Sequence, residues 1–209
     1  RLPQISWKCG AARRTPRIWE HDKRNGNIRI SELGIISAIA RGCDNGTNLF
    51  EIGTFDGRTT LNLAMNSPSQ CRVFTLDLPP ELSTTFPLAE GERHMVDKPK
   101  PGSRYEKYRP VYPSAVGKIC QLLGDSAVFD YTPYLRTCSL VFVDGSHAYD
   151  YAASDTRAAM KLVKRGGVII WHDYGIWEGV TKALEELDQS GGYELRNIRG
   201  TSLVYWRAQ

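Results

Sequence analysis

Apolar positions along this chain follow two different periods. TNLFEIG (47–53), RVFTLDL (72–78), SLVFVDG (139–145) and GVIIWHD (167–173) are short, nearly unbroken apolar runs that stop at a glycine or an acid. Such runs predict strands buried on both faces, and KICQLLGDS (118–126) reads as a further one. Between them lie segments with helical spacing. SELGIISAIAR (31–41) is apolar at 33, 35, 36, 39 and 40 behind a capping Ser31. RTTLNLAMN (58–66) follows a glycine-bearing turn, and VFDYTPYLR (128–136) reads as a short helix or turn. YDYAASDTRAAMKLV (149–163) is stopped by Gly166 and Gly167, and EGVTKALEELDQS (178–190) by Gly191 and Gly192. YELRNI (193–198) and SLVYWR (202–207), joined across RGT, close the chain as an antiparallel pair. Strands alternating with helices predict an α/β domain with a mostly parallel sheet between two helical layers. Ligands then belong outside the carboxyl ends of the strands.

Two segments escape both periods. Residues 1–30 are mixed, basic and aromatic, with Trp7, Trp19 and an arginine pair at 13–14, and read as an arm packing on the domain or part of a lid. Seven of the eleven prolines fall between 79 and 113, along with Arg93, Lys98, Lys100, Arg104, Lys107 and Arg109. A long irregular stretch inside an α/β domain reads as a lid with local helix. One domain spanning 1–209 with an arm and a lid-like insertion is the expectation.

Composition removes several classes. At 41% hydrophobic and 24% charged, the 209 residues are ordinary for a globular protein. A net charge of +4 is too mild for a nucleic-acid binder, and LGIISAIA is too short to cross a bilayer. The five cysteines (9, 43, 71, 120 and 138) are odd in number and never spaced C-x-x-C, which predicts buried thiols in a reducing cytoplasm.

The first strand ends in FEIGTFDGRTT. A dinucleotide turn needs a second glycine where Phe55 stands, and no G-K-[ST] follows for a P-loop. Gly53 and Gly57 alone are a weak signal that also fits a plain strand-to-helix turn. Context sharpens it. Asp77 ends the second strand at the distance suited to a ribose hydroxyl pair, Asp125 and Ser126 end the third, and Glu51 lies inside the first turn. A ligand with a ribose, an adenine and a cationic amino-acid tail suits these acids better than one with phosphates.

FEIGTFDGRTTLNLA, VFTLDL, GDS, LVFVDGSHAYDYAASD and GGVIIWHDY, in this order, resemble class I S-adenosylmethionine-dependent methyltransferases, in particular the small-molecule O-methyltransferase branch acting on sugars, macrolides and, more distantly, catechols. The resemblance covers about residues 47–205 but not 79–113. It implies a Rossmann-like seven-stranded sheet of order 3-2-1-4-5-7-6 with the last strand pair antiparallel. It also implies S-adenosyl-L-methionine held by Glu51, Gly53, Thr54, Phe55, Gly57, Asp77, Asp125, Ser126 and Asp144. In metal-dependent members, acids after strands four and five bind a divalent cation. The resemblance therefore places Asp144 and Asp173 on magnesium or manganese and His147 as general base beside Asp144. Where related enzymes supply a third oxygen ligand beside the strand-five acid, this chain departs with His172, which is the remaining candidate ligand.

The residues keep plainer readings open. Asp144, Asp173 and His147 can cap turns, and Asp155 reads as a helix-face acid. An imidazole at 172 suits softer metals than magnesium, so the ion and a metal-free route stay open. The expected partner is a small-molecule hydroxyl acceptor, with no nucleic acid or membrane; a homo-oligomer is left open. Two alternatives remain: a nucleic-acid or protein methyltransferase on the same fold, and an S-adenosylmethionine-binding protein without catalysis.

Overall fold

The computed structural model describes residues 1–8, 14–24, 26–97 and 100–209; the sequence features at Cys9, Arg13, Lys98 and Pro99 lie outside the described residues. Eight strands form one sheet: β1 (Gln4–Ile5), β2 (Asn48–Ile52), β3 (Arg72–Asp77), β4 (Ile119–Leu123), β5 (Cys138–Val143), β6 (Val163–Trp171), β7 (Arg196–Ile198) and β8 (Val204–Arg207), in the order β1-β7-β8-β6-β5-β2-β3-β4. Removing β1 leaves the expected seven strands in the expected order. Only β8 runs against its neighbours, pairing antiparallel with β6 and β7. The eighth strand is a correction: the first residues of the arm pair parallel with β7 at the sheet edge. Two residues are too few to show a period.

Alternate residues of the central strands point into two apolar layers. Phe50, Ile52, Val141, Val143, Ile169 and Trp171 pack under α6 (Tyr149–Leu162) and α7 (Glu178–Gln189). Leu49, Leu140, Phe142, Val168 and Ile170 pack under α1 (Ile30–Arg41) and α2 (Arg58–Asn66). Burial on both faces is why these strands read as unbroken apolar runs. Among the described residues, no helix is long and apolar enough to cross a membrane.

Two boundary expectations need correcting. Helix α1 begins one residue early, capped at Arg29, so Ser31 lies inside it and Glu32 at the third position reaches back to the Arg29 amide (3.1 Å). Gly166 and Gly167 do not end a helix. α6 stops at Leu162, and the glycines sit within β6, where the register to β5 shifts between Cys138 and Leu140. A Cβ at Gly167 would lie 2.8 Å from the Cys138 carbonyl oxygen, so glycine serves the bulge.

The arm and the insertion are tied to the sheet by buried polar groups. Asn62 and Asn66, one turn apart on α2, exchange amide bonds with the backbone of Trp19 and Arg17. Arg58 donates to the carbonyls of Glu20, His21 and Ile28. Among its described residues the insertion carries the one-turn helices α3 (Arg93–Val96) and α4 (Ser103–Glu106), and it leads into α5 (Pro113–Val116). From α4, the buried Arg104 meets Asp56 at 3.1 Å and the Asp22 carbonyl at 2.8 Å.

Strand register builds the functional edge. Ile52 lies opposite both Leu76 and Val143, and Val143 opposite Trp171. The next residues are Gly53, Asp77, Asp144 and His172, one from each strand. Gly53 (φ 96°) lets the turn pass so close to β5 that a Cβ there would lie 2.0 Å from the Asp144 carbonyl oxygen. Gly53→Ala should cost about 2–5 kcal/mol, combining a left-handed non-glycine backbone with overpacking. Gly46 is also left-handed but has open space around it, so Gly46→Ala should cost only the backbone part. Urea unfolding measures both, and equal losses at the two positions would contradict the close approach.

Candidate functional site

A cleft of about 370 Å³ opens at the carboxyl ends of β2–β6. Gly53, Phe55, Asp77, Asp125, Ser126, Asp144, His147, His172 and Asp173 all line it, so sequence candidates from five strands meet in one place. Phe55 adopts a left-handed backbone (φ 49°), and its amide donates to Asp77 Oδ2 at 2.6 Å. Asp125 accepts from the amides of Thr85 (2.6 Å) and Ala127 (3.0 Å) and from the Tyr151 hydroxyl (3.0 Å). Burial opposes its ionisation, but these bonds prevail and hold its pKa below the ordinary value.

Three candidates lie beneath the cleft instead of on its wall. Glu51 is fully buried, and its Oε2 accepts from the hydroxyls of Thr60 and Thr75. Burial outweighs those bonds and pushes its pKa up to about 8. Thr54 bonds Thr75 (2.7 Å) and Gln121 (2.9 Å). Gly57 (φ 85°) makes room for the insertion: a Cβ there would lie 2.6 Å from the Tyr105 ring and 2.8 Å from Gly102 Cα.

At the other end of the cleft, imidazoles and carboxylates alternate. His172 Nδ1 lies 2.9 Å from Asp144 Oδ1 and 3.1 Å from Asp173 Oδ2, and its Nε2 lies 3.3 Å from Glu32 Oε2. Glu32 is fully buried and anchored in turn by the amide and hydroxyl of Ser202 (2.8 and 2.9 Å). His147 Nε2 lies 2.7 Å from Asp173 Oδ2, and its Nδ1 lies 3.2 Å from Glu92 Oε1. Trp177 stacks on the His147 ring at 4.4 Å, a favourable surface for a charged imidazole. Asp173 itself is left-handed (φ 65°), which turns its carboxylate back between the two rings.

The electrostatics follow from this alternation. Burial works against both imidazolium charges, but Asp173 and Glu92 lift His147 to about 9, and Asp144, Asp173 and Glu32 lift His172 well above its ordinary value. Burial likewise opposes the carboxylates, but the imidazole partners hold Glu32 down at about 2 and Asp173 well below the usual range. This arrangement favours the protonated form of His147, with a carboxylate oxygen near each ring nitrogen. Asp144, His172 and Asp173 each offer one ligand atom, all within 4.8 Å of one another, which suits a metal ion.

Sequence reading missed Glu32, Glu92, Tyr151 and Trp177. Glu32 looks like an ordinary first-turn acid of a helix, and Glu92 sits in a segment without period. Asp155, read as a helix-face acid, is fully buried on α6 beneath Gly145, and neither carboxylate oxygen has a hydrogen-bond partner among the described residues.

The residues matched by a family described as "Methyltransferase domain" are 50–174, more than half of the chain. No curated protein matches. Among solved structures, the chain is similar to the O-methyltransferase TomG from Streptomyces achromogenes, involved in tomaymycin synthesis and solved with SAM (17% identity, 88% of this chain and 82% of that one, TM-score 0.60). It is also similar to the calicheamicin methyltransferase CalS11 (14%, 88% and 80%, 0.63) and to an O-methyltransferase from Bacillus cereus solved with SAH (16%, 92% and 84%, 0.55).

Burial lifts the Asp155 carboxyl to about 7. Between about pH 4 and 7 the folded chain keeps a proton there that the unfolded chain releases, so this residue makes stability fall as pH rises through that window. Asp155→Asn removes the effect. The melting temperature of the variant relative to wild type should therefore rise from pH 4 to 7 and level off above. A flat difference across that range would contradict the buried, unpaired carboxyl.

With the family match covering residues 50–174 and the strand order in place, the chain belongs to the methyltransferase-domain family, with the Rossmann-like fold of class I S-adenosylmethionine-dependent enzymes.

Proposed function

We propose that the protein transfers the methyl group of S-adenosylmethionine to a hydroxyl of a small molecule, such as a sugar or a natural-product intermediate, with help from a divalent cation. The observation that carries this reading is the single cleft that joins two kinds of chemistry. At one end Gly53, Asp77 and Asp125 line up along β2–β4; at the other, Asp144, His172 and Asp173 form a metal-ligand set. A cleft of about 370 Å³ is of the size that takes one small ligand largely out of water.

S-adenosylmethionine supplies a methyl group already activated on a sulfonium. In this reading Asp77 would hold the ribose hydroxyls, Asp125 and Ser126 would border the adenine, and the methionine end would lie by Gly53. Asp144, Asp173 and His172 would hold the cation, and Glu32 behind His172 Nε2 gives the carboxylate–imidazole backing common to metal-ligating histidines. Four carboxylates (Glu32, Glu92, Asp144 and Asp173) face two imidazoles, so the cluster keeps an excess of negative charge even with both rings protonated. When bound, the ion supplies positive charge that lowers the pKa of the acceptor hydroxyl. It would also lower the pKa of His147, which then becomes the residue placed to take the acceptor's proton. The imidazole donor favours manganese, or another transition ion, over magnesium.

Calorimetry with S-adenosylhomocysteine tests the first half. Binding should be measurable, and Asp77→Ala should lose about 1.5–3 kcal/mol of it, the range for hydrogen bonds to a charged group. Unchanged affinity would remove Asp77 from the site. The free manganese signal in electron paramagnetic resonance tests the second half. Wild type should deplete it, and Asp144→Asn should weaken that binding at least about tenfold, as ligand-shell changes do. No depletion by wild type would leave a metal-free mechanism.

A further inference from the structure

Residues 82–97 of the insertion run along the cleft, and Thr84, Leu88, Glu92, Met95 and Val96 form part of its wall. No strand is assigned in this segment, and α3 is its only helix. Side-chain anchors hold it at two points. At one, the Thr85 amide donates to Asp125 Oδ2 (2.6 Å) and the Tyr151 hydroxyl oxygen (3.0 Å), with Phe86 edge-on to the Tyr151 ring at 5.3 Å. At the other, Glu92 accepts from the His147 amide (2.9 Å), the Ser146 hydroxyl (3.0 Å) and the Ala89 amide (2.9 Å), and faces His147 Nδ1 at 3.2 Å. Glu92 is only 2% exposed, although Arg93 and His94 beside it are exposed.

The anchors are unlike in position but joined in effect. Thr85 fastens at the β4 end of the cleft and Glu92 at the β5–β6 end, so a ligand lying along the cleft passes beneath the whole segment. Release of either anchor would widen the way in and out of the cleft. Glu92 also faces His147 Nδ1 at 3.2 Å, while Nε2 lies on the Asp173 side of the ring, so its carboxylate is placed to orient the imidazole.

We propose that residues 82–97 are a strap that opens to admit S-adenosylmethionine and closes over it, and that closure delivers Glu92 as a positioning residue for His147. The identity of the ligand rests on the functional reading above; the fastening by Glu92 does not. The segment with few backbone bonds is the part expected to open at low cost, and the Glu92 contacts, charge-assisted and buried, set how often it does.

Hydrogen exchange on the full chain, with and without S-adenosylhomocysteine, tests the strap in wild type, Glu92→Ala and Glu92→Gln. In Glu92→Ala, amides of 82–97 should exchange about tenfold faster or more, the equivalent of one lost charge-assisted bond. Exchange in the central strands should rise much less than in the strap, even if removal of the buried carboxylate lowers the melting temperature. S-adenosylhomocysteine should slow exchange in the wild-type strap, and stopped-flow should show it leaving Glu92→Ala faster by a similar factor with little change in the association rate. Glu92→Gln should recover part of the loss, because its one amide oxygen can still accept either from the His147 amide or from the Ser146 hydroxyl and Ala89 amide. For positioning, a downfield His147 Nδ1 proton resonance, assigned by its absence in His147→Gln, should vanish in Glu92→Ala. Unchanged strap exchange, an increase spread over the whole sheet, or a persisting Nδ1 resonance would each overturn the proposal. If wild type fails to bind S-adenosylhomocysteine, the functional reading and the closure over it fall together, and exchange in the ligand-free protein still decides whether Glu92 fastens the strap.

Discussion

A single row of close polar contacts in which carboxylates and imidazoles alternate runs from Glu92 through His147, Asp173 and His172 to Glu32 and Ser202, with Asp144 joining at His172. It links the insertion, the loops after β5 and β6, helix α1 and the turn before β8. Each member is buried or nearly so, and a buried charge is tolerable only when paired. Removing one group therefore leaves its neighbours with unmatched charge, which makes the row a unit and not a set of separate residues. The row is also what a cation would have to enter. Its carboxylates are now spent on protons held by imidazoles, so metal binding, proton release and the seating of the insertion draw on the same few oxygen atoms.

The two ends of the cleft are built on different principles. Where the ligand's ribose and adenine are proposed to lie, backbone register does the placing: parallel pairing in step carries Gly53, Asp77 and Asp144 to the same level, and little beyond a glycine is required of the turn. At the acceptor end, side chains from segments far apart in sequence do the placing. The contrast suits a fold in which one ligand is common to many enzymes and the other is not.

The same contrast explains what could be read from the sequence. Asp77, Asp125, Asp144 and Asp173 were visible because an apolar run that stops at an acid marks a buried strand reaching its edge. The strand order followed from the resemblance and holds for the seven strands it covers. Glu92 and Glu32 were invisible for opposite reasons. Glu92 lies in a proline-rich segment with no period to place it, and Glu32 carries the ordinary signature of a helix first turn while also backing His172. Gly166 and Gly167 misled because glycine ends helices and relaxes strands equally well, and only the pairing of β6 with β5 decides between them. The base role of His147 comes from the resemblance, and the carboxylates on both sides of its ring are supplied by tertiary contacts that the sequence does not display.

The central claim is that one cleft seats S-adenosylmethionine beside a metal held by the Asp144–His172–Asp173 set. The most direct test is a crystal grown with S-adenosylhomocysteine and manganese, measured for anomalous scattering. The account predicts ligand density along Gly53, Asp77 and Asp125 and an anomalous peak bonded to Asp144, Asp173 and His172 Nδ1. Ligand density elsewhere, or no peak at those three residues with manganese in excess, would contradict it.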